Sequence, residues 1–165
     1  MDLARLVRHF FGTPWRLRRA FPAALLAEIG AAAEEAERSH GGEICFAVED
    51  ALDPWSLLRG QTPRERAVEV FSQLRVWDTQ DNNGVLIYVL LADHAVEILA
   101  DRGIHAHEGA HTWNAICRQI EADFKRGEFR LGALAGIDLI ARALRQHFPR
   151  AGGDADELPN QPALL

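Results

Sequence analysis

The chain has 165 residues, 48% of them hydrophobic, and a formal net charge of −6. This length suits one domain with a sizeable core, and the acidic balance argues against a nucleic-acid binder, which carries a basic face. No stretch approaches the roughly eighteen apolar residues of a membrane helix and no secretory leader pattern opens the chain, so a cytoplasmic protein without a transmembrane segment is expected.

The charge is uneven. Residues 1–20 hold five Arg and one Asp, a balance of +4, which leaves −10 for the remainder. In this basic amphipathic arm, Leu3, Leu6, Val7, Phe10 and Phe11 form an apolar stripe. Such a stripe packs a short helix onto its own domain, or it touches anionic lipid or an acidic partner. Residues 22–38 read as a helix. Pro22 suits its first turn, Leu25, Leu26, Ile29, Ala32, Ala33 and Ala36 share one stripe, and Gly41 and Gly42 stop it. Ile44 to Val48 is a strand apolar on both faces, and a polar connection containing Pro54 follows. Thr62, Pro63 and Glu65 make a capping-box start for a helix that buries Ala67, Val68, Val70, Phe71 and Leu74. Val85 to Leu91 is the best strand in the sequence. Ala92, Asp93 and His94 reverse the chain, and Ala95 to Ala100 returns as a third strand.

Two helices close the domain. Trp113, Ile116, Cys117, Ile120 and Phe124 define the first, which ends at Gly127, and Leu131 to Leu144 define the second. Cys45 and Cys117, each among apolar neighbours, read as reduced core thiols. Residues 150–165 lack periodicity and read as a flexible tail. Leu158, Pro159, Pro162, Leu164 and Leu165 would let that tail lie extended in a groove or along a sheet edge, such as strand 95–100. The organisation is thus an arm over 1–20, a domain over 21–149 and a tail over 150–165. The class is α/β, with helices around a small mixed sheet of three to four strands.

Topology suggests a site. The first two strands, joined through the capped helix, form a right-handed parallel unit, and the third strand is antiparallel because its turn is short. Three segments therefore meet at one end of the sheet: Glu43, the loop Asp78 to Gly84, and Asp101 to Gly103. Glu43, Asp78, Asp81, Asn82, Asn83 and Asp101 supply hard oxygens of the kind that hold calcium or magnesium. Arg102 could fork onto a phosphate. Asp81 to Gly84 also reads as a plain turn. His105, His107, Glu108 and His111 match no closed zinc spacing and read as solvated loop residues before a helix. No nucleophile elbow, phosphate-binding glycine loop or paired-cysteine motif is present.

The order of several short motifs resembles the TPM domain family. They are Gly42-Glu43-Ile44 before the first strand, Phe71 and Trp77 around the end of the capped helix, and Asn82-Asn83-Gly84-Val85-Leu86 entering the second strand. Gly103 after the third strand and Phe124-Lys125-Arg126-Gly127-Glu128-Phe129 complete the set. The resemblance spans about residues 21–148 and implies a three-layer α/β/α sandwich. Some members of the family are described as acid phosphatases, one of them in the thylakoid lumen and linked to photosystem II repair. Others bind calcium or related divalent ions, and many are exported or membrane-anchored. The resemblance carries the acidic site to Glu43, Asp81, Asn82, Asn83 and the turn after the third strand, where Asp101, Arg102 and Gly103 replace the Gly-aromatic-Gly of many relatives. Two functions follow as expectations. One is a binding module with a divalent-cation site, working with a membrane-associated protein partner from the cytoplasm or the periphery of the inner membrane. The other is a metal-dependent hydrolase of phosphomonoesters.

Overall fold

The computed structural model describes residues 3–10, 14–150 and 157–165. Helices α1 (Leu3–Phe10), α2 (Pro14–Ala20) and α3 (Ala23–Glu37) precede strand β1 (Ile44–Glu49). Helices α4 (Pro54–Leu58) and α5 (Pro63–Gln73) lead to β2 (Val85–Leu90). A 3₁₀ turn, Leu91–Asp93, then connects to β3 (Ala95–Ala100). Helices α6 (Arg102–Lys125) and α7 (Phe129–His147) follow, and β4 (Ala163–Leu164) is last.

The sheet order is β3-β2-β1-β4. β1 is parallel to β2, with Ile44 opposite Val85, and β2 is antiparallel to β3, with Val85 opposite Ala100. Alternation along the strands sorts the core into two layers. Ile44, Phe46, Val48, Val85, Ile87, Val89, Val96 and Ile98 face α3, α6 and α7. Cys45, Ala47, Leu86, Tyr88, Leu90 and Leu99 face α4 and α5. Both faces of β1 and β2 are covered, so these strands carry unbroken apolar runs. The result is the expected three-layer α/β/α sandwich. Its two cysteines are buried on opposite faces, and burial pushes both thiols up to about 12.

Helix starts follow local chemistry. The Thr62 hydroxyl accepts the Glu65 N–H at 3.2 Å and the Glu65 carboxylate accepts the Thr62 N–H at 2.7 Å, closing the capping box. The connection containing Pro54 is also a helix, α4. Asp53 caps it by accepting the Trp55 and Ser56 N–H groups at 2.9 and 3.2 Å. The signal was the Asp-Pro pair itself, an N-cap followed by proline at the first helical position. His105, His107 and Glu108 also lie in a helix rather than a loop. α6 begins at Arg102 and breaks at Gly109, whose φ is 73° and ψ 171°.

Two segments sit differently from the expectation. The stripe of α1 is packed only in part: Leu6 rests on the core layer of α4 and α5, while Leu3 and Val7 are 73% and 47% exposed. Phe11 lies outside the described residues. The polar side of α1 docks as well. Arg5 forks onto Asp93 at 3.0 and 2.8 Å, and Arg8 donates to the Ala92 carbonyl at 3.0 Å. His9 accepts the Leu52 N–H at 2.9 Å through Nδ1, which leaves Nε2 protonated to donate to Asp93 at 3.0 Å. Burial alone would raise the Asp93 carboxyl, but its hydrogen bonds and charge contacts with Arg5 and His9 outweigh that and hold it low. The 3₁₀ turn presents acceptors, so α1 meets it with donors. In the segment expected as a flexible tail, residues 151–156 lie outside the described residues, and residues 157–165 are docked. Ala163 and Leu164 pair in parallel with Ala47 and Val48, so the tail borders β1 rather than β3.

Two predictions follow from buried polar groups. At the end of β1, Glu49 accepts the Tyr88 hydroxyl at 2.6 Å and two Arg66 N–H groups at 2.8 and 3.2 Å. Glu49→Ala strands the Tyr88 hydroxyl and leaves Arg66 only its contact with Glu69 at 3.0 Å, and should lower the unfolding free energy by about 2–4 kcal/mol. Tyr88→Phe should cost about 1.5–3 kcal/mol, because the Arg66 fork survives. Urea denaturation measures both, and a Glu49→Ala cost below that of Tyr88→Phe would refute this network. The second group is His40, which is 1% exposed. Burial, aided by the charges of Arg145 and Arg150 and opposed by the Gly42 backbone, pushes its imidazole down from 6.5 to about 4. The unfolded chain therefore binds a proton near 6.5 that the folded chain refuses until about 4. Stability from this group is full above 6.5 and falls as pH drops through that window, by up to about 3 kcal/mol. His40→Gln should flatten that slope relative to wild type in denaturation curves taken between these pH values.

Candidate functional site

Backbone pairing brings three of the expected segments to one end of the sheet. The Val85 N–H donates to the Glu43 carbonyl at 2.9 Å, and the Asp101 N–H donates to the Gly84 carbonyl at 2.8 Å. Two close approaches set the loops. A Cβ on Gly84 would lie 2.1 Å from the Val76 carbonyl, and one on Gly103 would lie 2.5 Å from that of Asn82. Only glycine lets the first turn of α6 rest on the loop before β2. The Gly103 N–H then donates to the Asn82 carbonyl at 2.9 Å, and Asn82 takes a left-handed φ of 54°, which asparagine tolerates.

The side chains at this end do different things. Asp101 is the N-cap of α6, and its Oδ1 accepts the Arg102 N–H at 2.7 Å. Its Oδ2 is buried with no hydrogen-bond partner among the described residues. Asn83 is buried. Its Nδ2 donates to the Gly41 carbonyl at 2.8 Å and its N–H to the Thr79 hydroxyl at 3.1 Å, while its Oδ1 is likewise buried without a partner. Asn82 Oδ1 accepts Arg102 Nε at 2.8 Å. Arg102 itself is exposed.

Glu43 is buried, and its carboxylate accepts the N–H groups of Glu157 and Leu158 at 3.3 and 3.2 Å. The Glu157 carboxylate accepts the Gln80 N–H at 3.1 Å. The tail thus seals one side of the end where the six oxygen-bearing residues were expected to gather. Asp78 and Asp81 are exposed, and the Asp78 N–H closes a turn on the Arg75 carbonyl at 2.9 Å. Among the described residues, no group of three or more His, Cys, Asp or Glu side chains is arranged to hold a metal ion. The oxygens left unpartnered are one from Asp101 and one from Asn83, a smaller donor set than an acidic cage.

The histidine run divides. His105 and His111 are exposed. His107 stacks on His147 with ring centroids 4.7 Å apart, and His147 Nε2 lies 3.1 Å from a Glu108 oxygen. This contact fastens the first part of α6 to the end of α7. Sequence reading missed His147 and Thr79, because nothing local marks either, and it missed the tail N–H groups because backbone donors carry no residue signature.

A family profile described as the TPM domain matches residues 19–143, so α1 and the docked tail lie outside the match. The NMR structure of BA42 protein from the psychrophilic bacterium Bizionia argentinensis is similar with a TM-score of 0.77 and 32% identity, over 88% of this chain and 95% of that one. The NMR structure of the N-terminal domain of a protein from P. gingivalis shares the fold, with a TM-score of 0.63 and 15% identity over 81% of this chain and 84% of that one. No curated protein matches the chain.

Deleting residues 157–165 removes buried Leu158, strand β4 and the donors on Glu43. The loss should be about 2 kcal/mol, or roughly 4–8 °C of melting temperature for a chain of this size. Calorimetry on the truncated chain measures it, and an unchanged melting temperature would show that the tail does not hold this end.

Proposed function

Since the chain belongs to the TPM domain family, we propose that it is a binding module whose acidic sheet end takes a divalent cation, calcium or magnesium, and which works with a membrane-associated partner. The observation that carries the cation reading is the pair of buried oxygens without partners, Asp101 Oδ2 and Asn83 Oδ1. A buried carboxylate oxygen without a donor is costly, and a hard cation relieves that cost. Asp81, exposed in the adjoining loop, would add a second charge from the solvent side. Glu43 would join only if the tail left it. The exposure of Leu3 and Val7 supports the partner reading, because the docking of α1 through Arg5, Arg8 and His9 turns these two apolar side chains outward.

A hydrolase of phosphomonoesters is the second reading, and one observation favours it. Arg102 is exposed beside the same loop and held there through Nε by Asn82, and a guanidinium so placed can meet phosphate oxygens. Calorimetry with calcium chloride and with magnesium chloride, followed by phosphate release from p-nitrophenyl phosphate, separates the two. The module binds without turnover, whereas the hydrolase releases phosphate in a metal-dependent way. Asp101→Asn keeps a good helix cap but removes the charge, and should weaken cation binding by about tenfold or more. No heat with either ion would sink both readings. In the same way, Leu3→Ser with Val7→Ser should release the chain from a membrane fraction while leaving cation binding unchanged.

A further inference from the structure

At the opposite end of the sheet, beyond the last residues of β2, lies a cavity of about 980 Å³. It opens between α2, the 3₁₀ turn, the start of β3, the second half of α6 and the start of α7. The volume is at the upper end of the range usual for small-molecule sites, about 300–1,000 Å³. Its position also fits: in open α/β sheets, ligands bind beyond the carboxyl ends of the parallel strands, and β1 and β2 both end here.

The lining has two parts. Ala20, Val89, Leu91, Phe124 and Phe129 make apolar walls, and the two phenylalanine rings pack with centroids 5.1 Å apart. Arg16, His94, Arg118 and Lys125 supply basic groups. Arg16 is held by Asp50, with Nε on Oδ1 at 2.7 Å. Arg118 and Lys125 are exposed and make no ion pair among the described residues. The one carboxylate of the lining, Glu121, accepts the Val96 N–H at 3.0 Å and so is directed to the backbone. The hollow thus sets basic groups at apolar walls in a chain of net charge −6. An inorganic anion would satisfy the cations and leave the walls wet. A neutral hydrocarbon would fill the walls and ignore the cations. A chain ending in an anion does both, since each methylene buried against the walls leaves water favourably and a charge-assisted contact fixes the head.

We propose that this cavity binds a single-chain amphiphile, an acyl or alkyl chain with a terminal carboxylate or phosphate. The site is independent of the cation reading, because it shares no residue with the acidic end. The test is a titration of the isotope-labelled full chain, followed by amide NMR, with four probes below their micelle concentrations: dodecanoate, dodecyl phosphate, dodecanol and inorganic phosphate. Dodecanoate or dodecyl phosphate should shift the amides of residues 89–95 and 122–129, and the stronger of the two identifies the head. Dodecanol should bind about tenfold more weakly, and phosphate alone should leave the walls unmoved. Arg118→Glu with Lys125→Glu should weaken the anionic probes by about tenfold and leave dodecanol unchanged. Should that pair perturb the native spectrum, Arg118→Gln and Lys125→Gln taken singly give the same comparison. The proposal is overturned if neither amphiphile shifts the cavity amides, if the shifts map to the stripe of α1 instead, or if dodecanol binds as well as the anions.

Discussion

The contact between Gly103 and the Asn82 carbonyl is the constraint on which the acidic end depends. There is no room for a Cβ between them, so the first turn of α6 lies directly on the loop that enters β2. That contact fixes where Asp101 caps the helix, where Asn82 turns left-handed and where Arg102 can reach the Asn82 amide. It also explains why neighbouring polar groups have such different surroundings. Backbone in contact with backbone excludes water from Asp101 Oδ2 and Asn83 Oδ1, while Asp78 and Asp81, a few residues earlier, stay in solvent. Proximity in sequence did not determine chemistry here; the fit of one helix turn against one loop did.

The sheet was the most legible part of the chain, for a physical reason. Strands buried on both faces need unbroken apolar runs, and β1 and β2 carry them, while the short reversal after β2 marked β3. The capping box of α5 was legible because both halves of a reciprocal hydrogen bond lie within four residues. What escaped was non-local. β4 has two residues and makes sense only beside Ala47 and Val48. The inward face of α1 was set largely by acceptors in a turn far along the chain, so of its apolar stripe Leu6 turns to the core while Leu3 and Val7 turn outward. At the candidate site, the convergence of three segments could be inferred from strand directions. The occupation of Glu43 could not, because backbone N–H groups of the tail fill it.

The two ends of the sheet differ in electrostatic character. The amino ends of β1 and β2 gather acids and amides, and the carboxyl ends open onto a hollow with a basic mouth. In a chain with an overall acidic balance, acids and amides thus lie at one end and exposed basic groups at the other, separated by the length of six-residue strands. The helices that cover the sheet carry this division: α6 starts beside Asp101, breaks at Gly109 and ends beside the hollow, so its two parts serve the two environments.

The place of β4 has a consequence for the order in which the molecule can be completed. β1 is synthesised long before its partner on one side, with two strands and four helices between them. Until Ala163 and Leu164 have left the ribosome, β1 presents a row of unpaired backbone groups to its surroundings. An open strand edge is a template for pairing with another chain. A nascent chain is therefore open to faulty association in the interval between the synthesis of β1 and that of β4, when nearly all of the core is already able to form.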